Sequence, residues 1–174
     1  MNKIVLAGIF FLLISPICFS QTESEEKAYL ALFANPEQKI IPVLTQYANS
    51  IGCAYDFNPK NIVQYSNVSE KSFVVLFSLD VGCSGGNAMS RPVIALMQFS
   101  ELGKIYVNPK YSTPSQTSEK FPSHTESIYL ENGKLRFKAR EYDFAKDPLS
   151  SPSVIVTGEI EFKNNLWQPR SQEK

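Results

Sequence analysis

Two potential nucleophiles stand side by side at Cys83 and Ser84, with Gly82 before them and Gly85 and Gly86 after. Glycines in such a run let the backbone turn sharply enough to hold a side chain clear of its neighbours. Exposure alone does not make a serine reactive: a base must take its proton and a third group must orient the base. The chain has one histidine, His124, which follows Ser84, and no aspartate lies between the two. The residues therefore read as a tight turn beside a cysteine, with no catalytic residue assigned.

Pattern matching leads to the same reading. Gly82-Cys83-Ser84-Gly85-Gly86 satisfies Gly-x-Ser-x-Gly, the nucleophile elbow of the α/β-hydrolases, and is similar to the Gly-Asp-Ser-Gly-Gly loop of serine proteases, with Cys83 at the Asp position. An elbow must run into a helix, but residues 87–91 alone separate the run from Pro92 and a further strand pattern. The protease arrangement places its histidine before the serine, and none precedes Ser84. A single imidazole does not build a zinc site, and Glu141, Asp143 and Asp147 are too sparse for a calcium loop. Metal ligands and cofactors are accordingly expected to be none, and no phosphate-binding glycine loop or dinucleotide fingerprint occurs. A pair of carboxylates for acid–base work is compatible with 17 acidic residues, but nothing in the sequence singles out a pair.

The cysteines have a simpler use. Cys18 falls in the leader described below, which leaves Cys53 and Cys83, an even pair with no Cys-x-x-Cys spacing. In an oxidising compartment such a pair is expected to form a disulfide.

Lys134, Arg136, Lys138 and Arg140 recur at every second residue, interleaved with Leu135, Phe137 and Ala139. A strand places successive side chains on opposite faces, so the four cations share one face and the apolar residues the other. The stripe is the candidate binding surface, suited to a partner with an acidic surface. The competing reading is a solvated strand face whose charges discourage edge-to-edge pairing.

The elements that would carry these residues follow from periodicity. Residues 22–25 form a capping box ahead of a short helix over 27–34, and Ile40, Ile41, Leu44, Tyr47, Ala48 and Ile51 make a helical stripe ending at Gly52. Pro42 either begins that second helix or kinks it. From residue 72 the period becomes two, predicting strands over 72–81, 92–99, 104–108, 126–131, 134–142 and 154–163. Asn132-Gly133 supplies both left-handed positions of a type I′ hairpin, pairing Glu131 with Lys134, Leu130 with Leu135, Tyr129 with Arg136 and Ile128 with Phe137. Short connections make the sheet largely antiparallel. The expected fold is α+β: an N-terminal helical segment of one or two helices on a sheet of five to six strands. Residues 109–124 and 144–152 read as surface loops, and 168–174 as a disordered tail.

Residues 1–20 read as a secretory signal peptide: Lys3 gives the positive start, residues 4–14 the apolar segment, and Pro16 breaks it before small residues at Cys18 and Ser20. The apolar segment is too short to span a bilayer as a helix, and Ile17 is too bulky to precede a lipid-acceptor cysteine. Residues 21–167 suit one domain. Without Lys3, 16 basic residues face 17 acidic ones, a net charge of −1 that disfavours nucleic acid and polybasic membrane attachment. These features predict a periplasmic or secreted, non-enzymatic protein-binding domain, such as an inhibitor or a secretion-system immunity protein. The alternatives are a cell-envelope hydrolase using Ser84 or a carboxylate pair, and an envelope structural or assembly factor.

Overall fold

The computed structural model describes residues 23, 26–27, 30–31, 34–68, 72–80, 82–83, 90–100, 104–113, 121–148 and 151–171. Residues 1–20, expected to be a leader, and Ser84 lie outside them, as do residues 28, 29, 32 and 33 of the expected first helix. The described residues between 23 and 34 are helical and exposed.

Helix α1 (Pro36–Ile51) begins on Pro36, whose missing N–H costs nothing at a first turn, and runs on through Pro42 without interruption. Ile40, Leu44 and Ala48 recur every four residues and are buried. At the end of α1, the Gly52 N–H bonds to the Ala48 carbonyl at 3.0 Å. A Cβ on Gly52 would meet the Leu79 side chain at 2.6 Å, so glycine is what lets the helix end lie this close to the sheet.

Two antiparallel four-stranded meanders follow in place of the single expected sheet. The first comprises β1 (Ala54–Gln64), β2 (Ser72–Asp80), β3 (Ser90–Phe99) and β4 (Ile105–Val107), in sequential order. The second comprises β5 (His124–Glu131), β6 (Lys134–Glu141), β7 (Val154–Lys163) and β8 (Leu166–Ser171), again in order. The layers are helix, sheet, sheet. Phe73, Val75, Phe77 and Leu79 of β2 pack with Val93, Ala95 and Met97 of β3 beneath α1. The alternate residues Val74, Leu76, Ile94 and Leu96 face Ile128, Leu135, Phe137, Ile160 and Trp167 of the second sheet. Because the first sheet is covered on both faces, β2 and β3 are apolar almost throughout, a pattern more usual in parallel sheets.

Strands β1 and β8 bring the count to eight. In β1, Asn58-Pro59-Lys60 resembles a turn but forms an irregularity within the strand, where pairing with β2 shifts between Phe57 and Ile62. Strand β8 occupies part of the expected tail: residues 166–171 pair with β7 from Lys163↔Leu166 to Gly158↔Ser171, and Trp167 is fully buried. Asn164 and Asn165 both adopt positive φ, 54° and 62°, in the turn that folds β8 back. Pro169 is tolerated because β8 is an edge strand. The 109–124 segment is also more ordered than a surface loop at its start. A 3-10 turn (Pro109–Tyr111) leads to buried Ser112 and Thr113, whose hydroxyls accept the Leu96 and Ile94 N–H groups at 3.0 and 3.1 Å. The Tyr47 hydroxyl donates to the Thr113 carbonyl at 2.6 Å, tying α1 to this segment, and burial pushes that phenol above its ordinary pKa.

Candidate functional site

The β5–β6 hairpin has the predicted register, from Glu131↔Lys134 to Ile128↔Phe137, with φ of 52° at Asn132 and 75° at Gly133. Leu135, Phe137 and Ala139 are buried, and Lys134, Arg136, Lys138 and Arg140 share the opposite face of β6. Each cation of the stripe has a carboxylate. Lys134 pairs with Glu159 at 3.0 Å and Arg136 with Glu131 at 3.1 Å. Lys138 reaches Glu126 at 3.8 Å, and Arg140 Nε pairs with the same carboxylate at 2.5 Å. The stripe is therefore largely balanced by acids from β5, β7 and the hairpin, which reduces the field it offers to a distant partner.

Cys53 and Cys83 are joined in a disulfide, with Cα atoms 5.2 Å apart. It closes the end of the first sheet where Ala54 pairs with Asp80. Asp80 shapes that turn: its carbonyl accepts the Cys53 N–H at 2.9 Å, and its Oδ1 accepts the N–H groups of Gly82 and Cys83 at 3.1 Å each. Cys83 takes a left-handed φ of 55°.

The layer between the sheets changes character at this same end. Along β2 the residues facing the second sheet read Val74, Leu76, Ser78; along β3 they read Leu96, Ile94, Pro92, Ser90. Asp56 of β1 pairs with Ser78 and so lies on the same face. The apolar rows thus end in Asp56, Ser78 and Ser90, each in register with core residues further along its strand or its neighbour. An apolar side chain at Ser78 would extend the core and contribute about 1.5–3 kcal/mol if fully buried. In its place is an open cleft of about 570 Å³ at the edge where β1 meets β5, lined by Asp56, Ser78 and Ser90 of the first sheet and, at the rim of the second, by His124, Glu126 and Arg140.

A second, more apolar cleft of about 290 Å³ adjoins it and shares Ser123, His124 and Arg140 with it. Its walls include Phe121, Tyr142 and Phe144. His124 meets Tyr142 edge to face with centroids 5.3 Å apart, and its Nε2 is 3.1 Å from the Tyr142 hydroxyl. Tyr142 in turn stacks with Phe144 at 5.9 Å. Phe144 is 89% exposed. The loop holding it out is tightly bonded: Asp147 Oδ2 accepts the N–H groups of Asp143 and Ser153 at 2.9 and 2.7 Å, and the Asp143 carbonyl accepts those of Lys146 and Asp147. Donation by Asp143, and next by Ser153, holds the Asp147 carboxyl below the usual carboxylate range.

Of the candidates read from sequence, Arg140 and His124 belong to this end, whereas Lys134 lies at the far end of β6. Glu141 and Tyr142 line the apolar cleft, and Asp143 and Asp147 serve as loop fasteners. Asp56, Ser78, Ser90, Tyr142 and Phe144 were not foreseen as site residues. The available signal was Ser78 within, and Ser90 at the start of, two strongly apolar strands. No protein-family model matches the chain, and neither a curated protein nor a solved structure does.

Proposed function

We propose that the chain is an exported, non-enzymatic protein-binding domain, an inhibitor or immunity protein of the periplasm or the medium, whose partner presents an acidic surface around an apolar recess. Phe144 carries the proposal. A large ring exposed by 89%, stacked on Tyr142 and held out by a bonded loop, has little freedom left to lose on docking. Such rings on rigid scaffolds are the usual centres of binding energy. Lys138 and Arg140 next to this end share the single carboxylate of Glu126 and so keep one positive charge in excess, which favours an acidic partner, while Lys134 and Arg136 are each matched by their own glutamate. Export is supported by the leader pattern, and the Cys53–Cys83 disulfide suits an oxidising compartment.

Photo-crosslinking in intact cells tests this reading. With benzoylphenylalanine at position 144, one discrete adduct is expected, lost when Arg140→Glu is added; the same group at position 163, at the other end of the sandwich, should give none. Equal labelling from both positions, or from neither, would reject the proposal. The mass of the exported chain should correspond to a start at Gln21, and a retained leader would reject export.

A further inference from the structure

We infer that the polar cleft at the edge where the two sheets meet binds a neutral, polyhydroxylated ligand, one sugar unit of a glycan. The inference goes beyond the protein partner proposed above and does not require it.

Its first support is positional. Ser78 and Ser90 continue the rows of Val74, Leu76, Ile94 and Leu96, so the pattern that builds the core calls for apolar residues there. Where a sequence departs from its own folding pattern at a cleft, function is the expected reason. The departure is also concerted: three strands, β1, β2 and β3, contribute Asp56, Ser78 and Ser90 to one wall.

The second support is chemical. The rim of the second sheet adds His124, Glu126 and Arg140, so the cleft combines hydroxyls, two carboxylates, an imidazole and a guanidinium. Planar carboxylates and guanidinium groups can each engage two neighbouring hydroxyls, and serines adapt as donor or acceptor. Glu126 and Arg140 are already paired with one another, which fixes both groups before a ligand arrives. Arg140 neutralises Glu126 and leaves Asp56 as the one unbalanced charge, too little to hold an ionic ligand by itself, whereas an uncharged ligand rich in hydroxyls can use all of these groups. The volume of about 570 Å³ lies within the roughly 300–1,000 Å³ of small-ligand sites. At the rim, the His124–Tyr142 pair offers aromatic surface on which the C–H face of a pyranose packs. A peptide segment would find its apolar contacts in the neighbouring Phe121–Phe144 cleft, not among these hydroxyls.

The test is an amide-resolved NMR titration of the exported protein with maltotriose, cellotriose and chitotriose, with a neutral serine-rich peptide as comparison. At least one sugar should shift the amides of Ser78, Ser90 and Thr125, with a dissociation constant of about a millimolar or below. Asp56→Ala, an exposed change, should weaken that binding about tenfold or more. Ser78→Val should abolish it while raising the melting temperature, because it extends the apolar row. No shift with any of the three sugars, shifts confined to the far end, stronger binding of the peptide, or unchanged affinity in Asp56→Ala would each overturn the inference. Titration and crosslinking fail independently: a sugar bound without a crosslinked partner retains the cleft and removes the protein partner, and the reverse result does the opposite.

Discussion

The side chain of Asn61 is bonded to Ile128 as a neighbouring strand would be. Its Oδ1 accepts the Ile128 N–H at 3.2 Å, while its Nδ2 donates to the Glu126 carbonyl, also at 3.2 Å. Asn61 belongs to β1 and Ile128 to β5, so one buried carboxamide joins the outer strands of the two sheets. Asn61→Leu removes both bonds and leaves a buried amide and carbonyl unmatched, at an expected cost of about 2–3 kcal/mol in urea unfolding. Asn61→Asp keeps the acceptor alone and should fall between. A loss below about 0.5 kcal/mol for the leucine variant would show that water replaces the bonds at little cost.

Of Gly52, Gly133 and Gly158, the last leaves the least room for a side chain. A Cβ there would run into the Phe137 ring and the Arg170 carbonyl, both in adjacent strands. Gly158→Ala should destabilise by about 1–3 kcal/mol through overpacking. Phe137→Leu in the same chain should show coupling with it in a double-mutant cycle, because the smaller side chain relieves part of the clash. Additive losses would mean that the Arg170 backbone, not the ring, sets the cost.

Removing the disulfide by Cys53→Ser with Cys83→Ser frees a loop of 30 residues in the unfolded chain. The expected loss is about 3–4 kcal/mol by loop-closure entropy. The unreduced, denatured protein should contain no free thiol among these two residues. Finding two would contradict the pairing.

Acid should loosen the Phe144 loop before it affects the core. The Asp147 carboxyl is held below its ordinary range, so its ionised form favours the folded loop. That contribution is complete above the ordinary carboxylate value and is lost as pH falls through the depressed one. Amide exchange at Asp143 and Ser153 should accelerate over that window, while the amides of β2 and β3 stay protected. Asp147→Asn should give fast exchange at Ser153 already at neutral pH, and unchanged exchange there would discard the clamp.

Local chemistry was legible in the sequence where neighbours along the chain decide the structure. Asn132-Gly133 dictates its own turn, and the turn dictates the register of β5 on β6 together with the face of the stripe. The division into two sheets was not legible, because periodicity reports which face of a strand is buried and not which strand lies beside it. The unbroken apolar runs 73–77 and 93–97 carried a hint of burial on both faces. Residues 58–60 concealed β1, because Asn-Pro-Lys has the composition of a turn while the chain remains extended. The cleft was hidden for a related reason. Asp56, Ser78 and Ser90 are ordinary residues singly, and they become neighbours only once β1, β2 and β3 are in register.

The ladders and the links between the sheets differ in span. Every ladder joins consecutive strands, whereas the Asn61 bonds to β5 cross 65 and 67 residues and the Trp167 indole bond to the Tyr111 carbonyl crosses 56. Short loops close at small entropic cost and long ones at greater cost, so each meander is able to assemble before the two meet. A transition state with both meanders formed and not yet docked would make Asn61 and Trp167 latches on a finished structure. Asn61→Leu should accordingly speed unfolding several-fold and leave the refolding rate nearly unchanged in a chevron measurement.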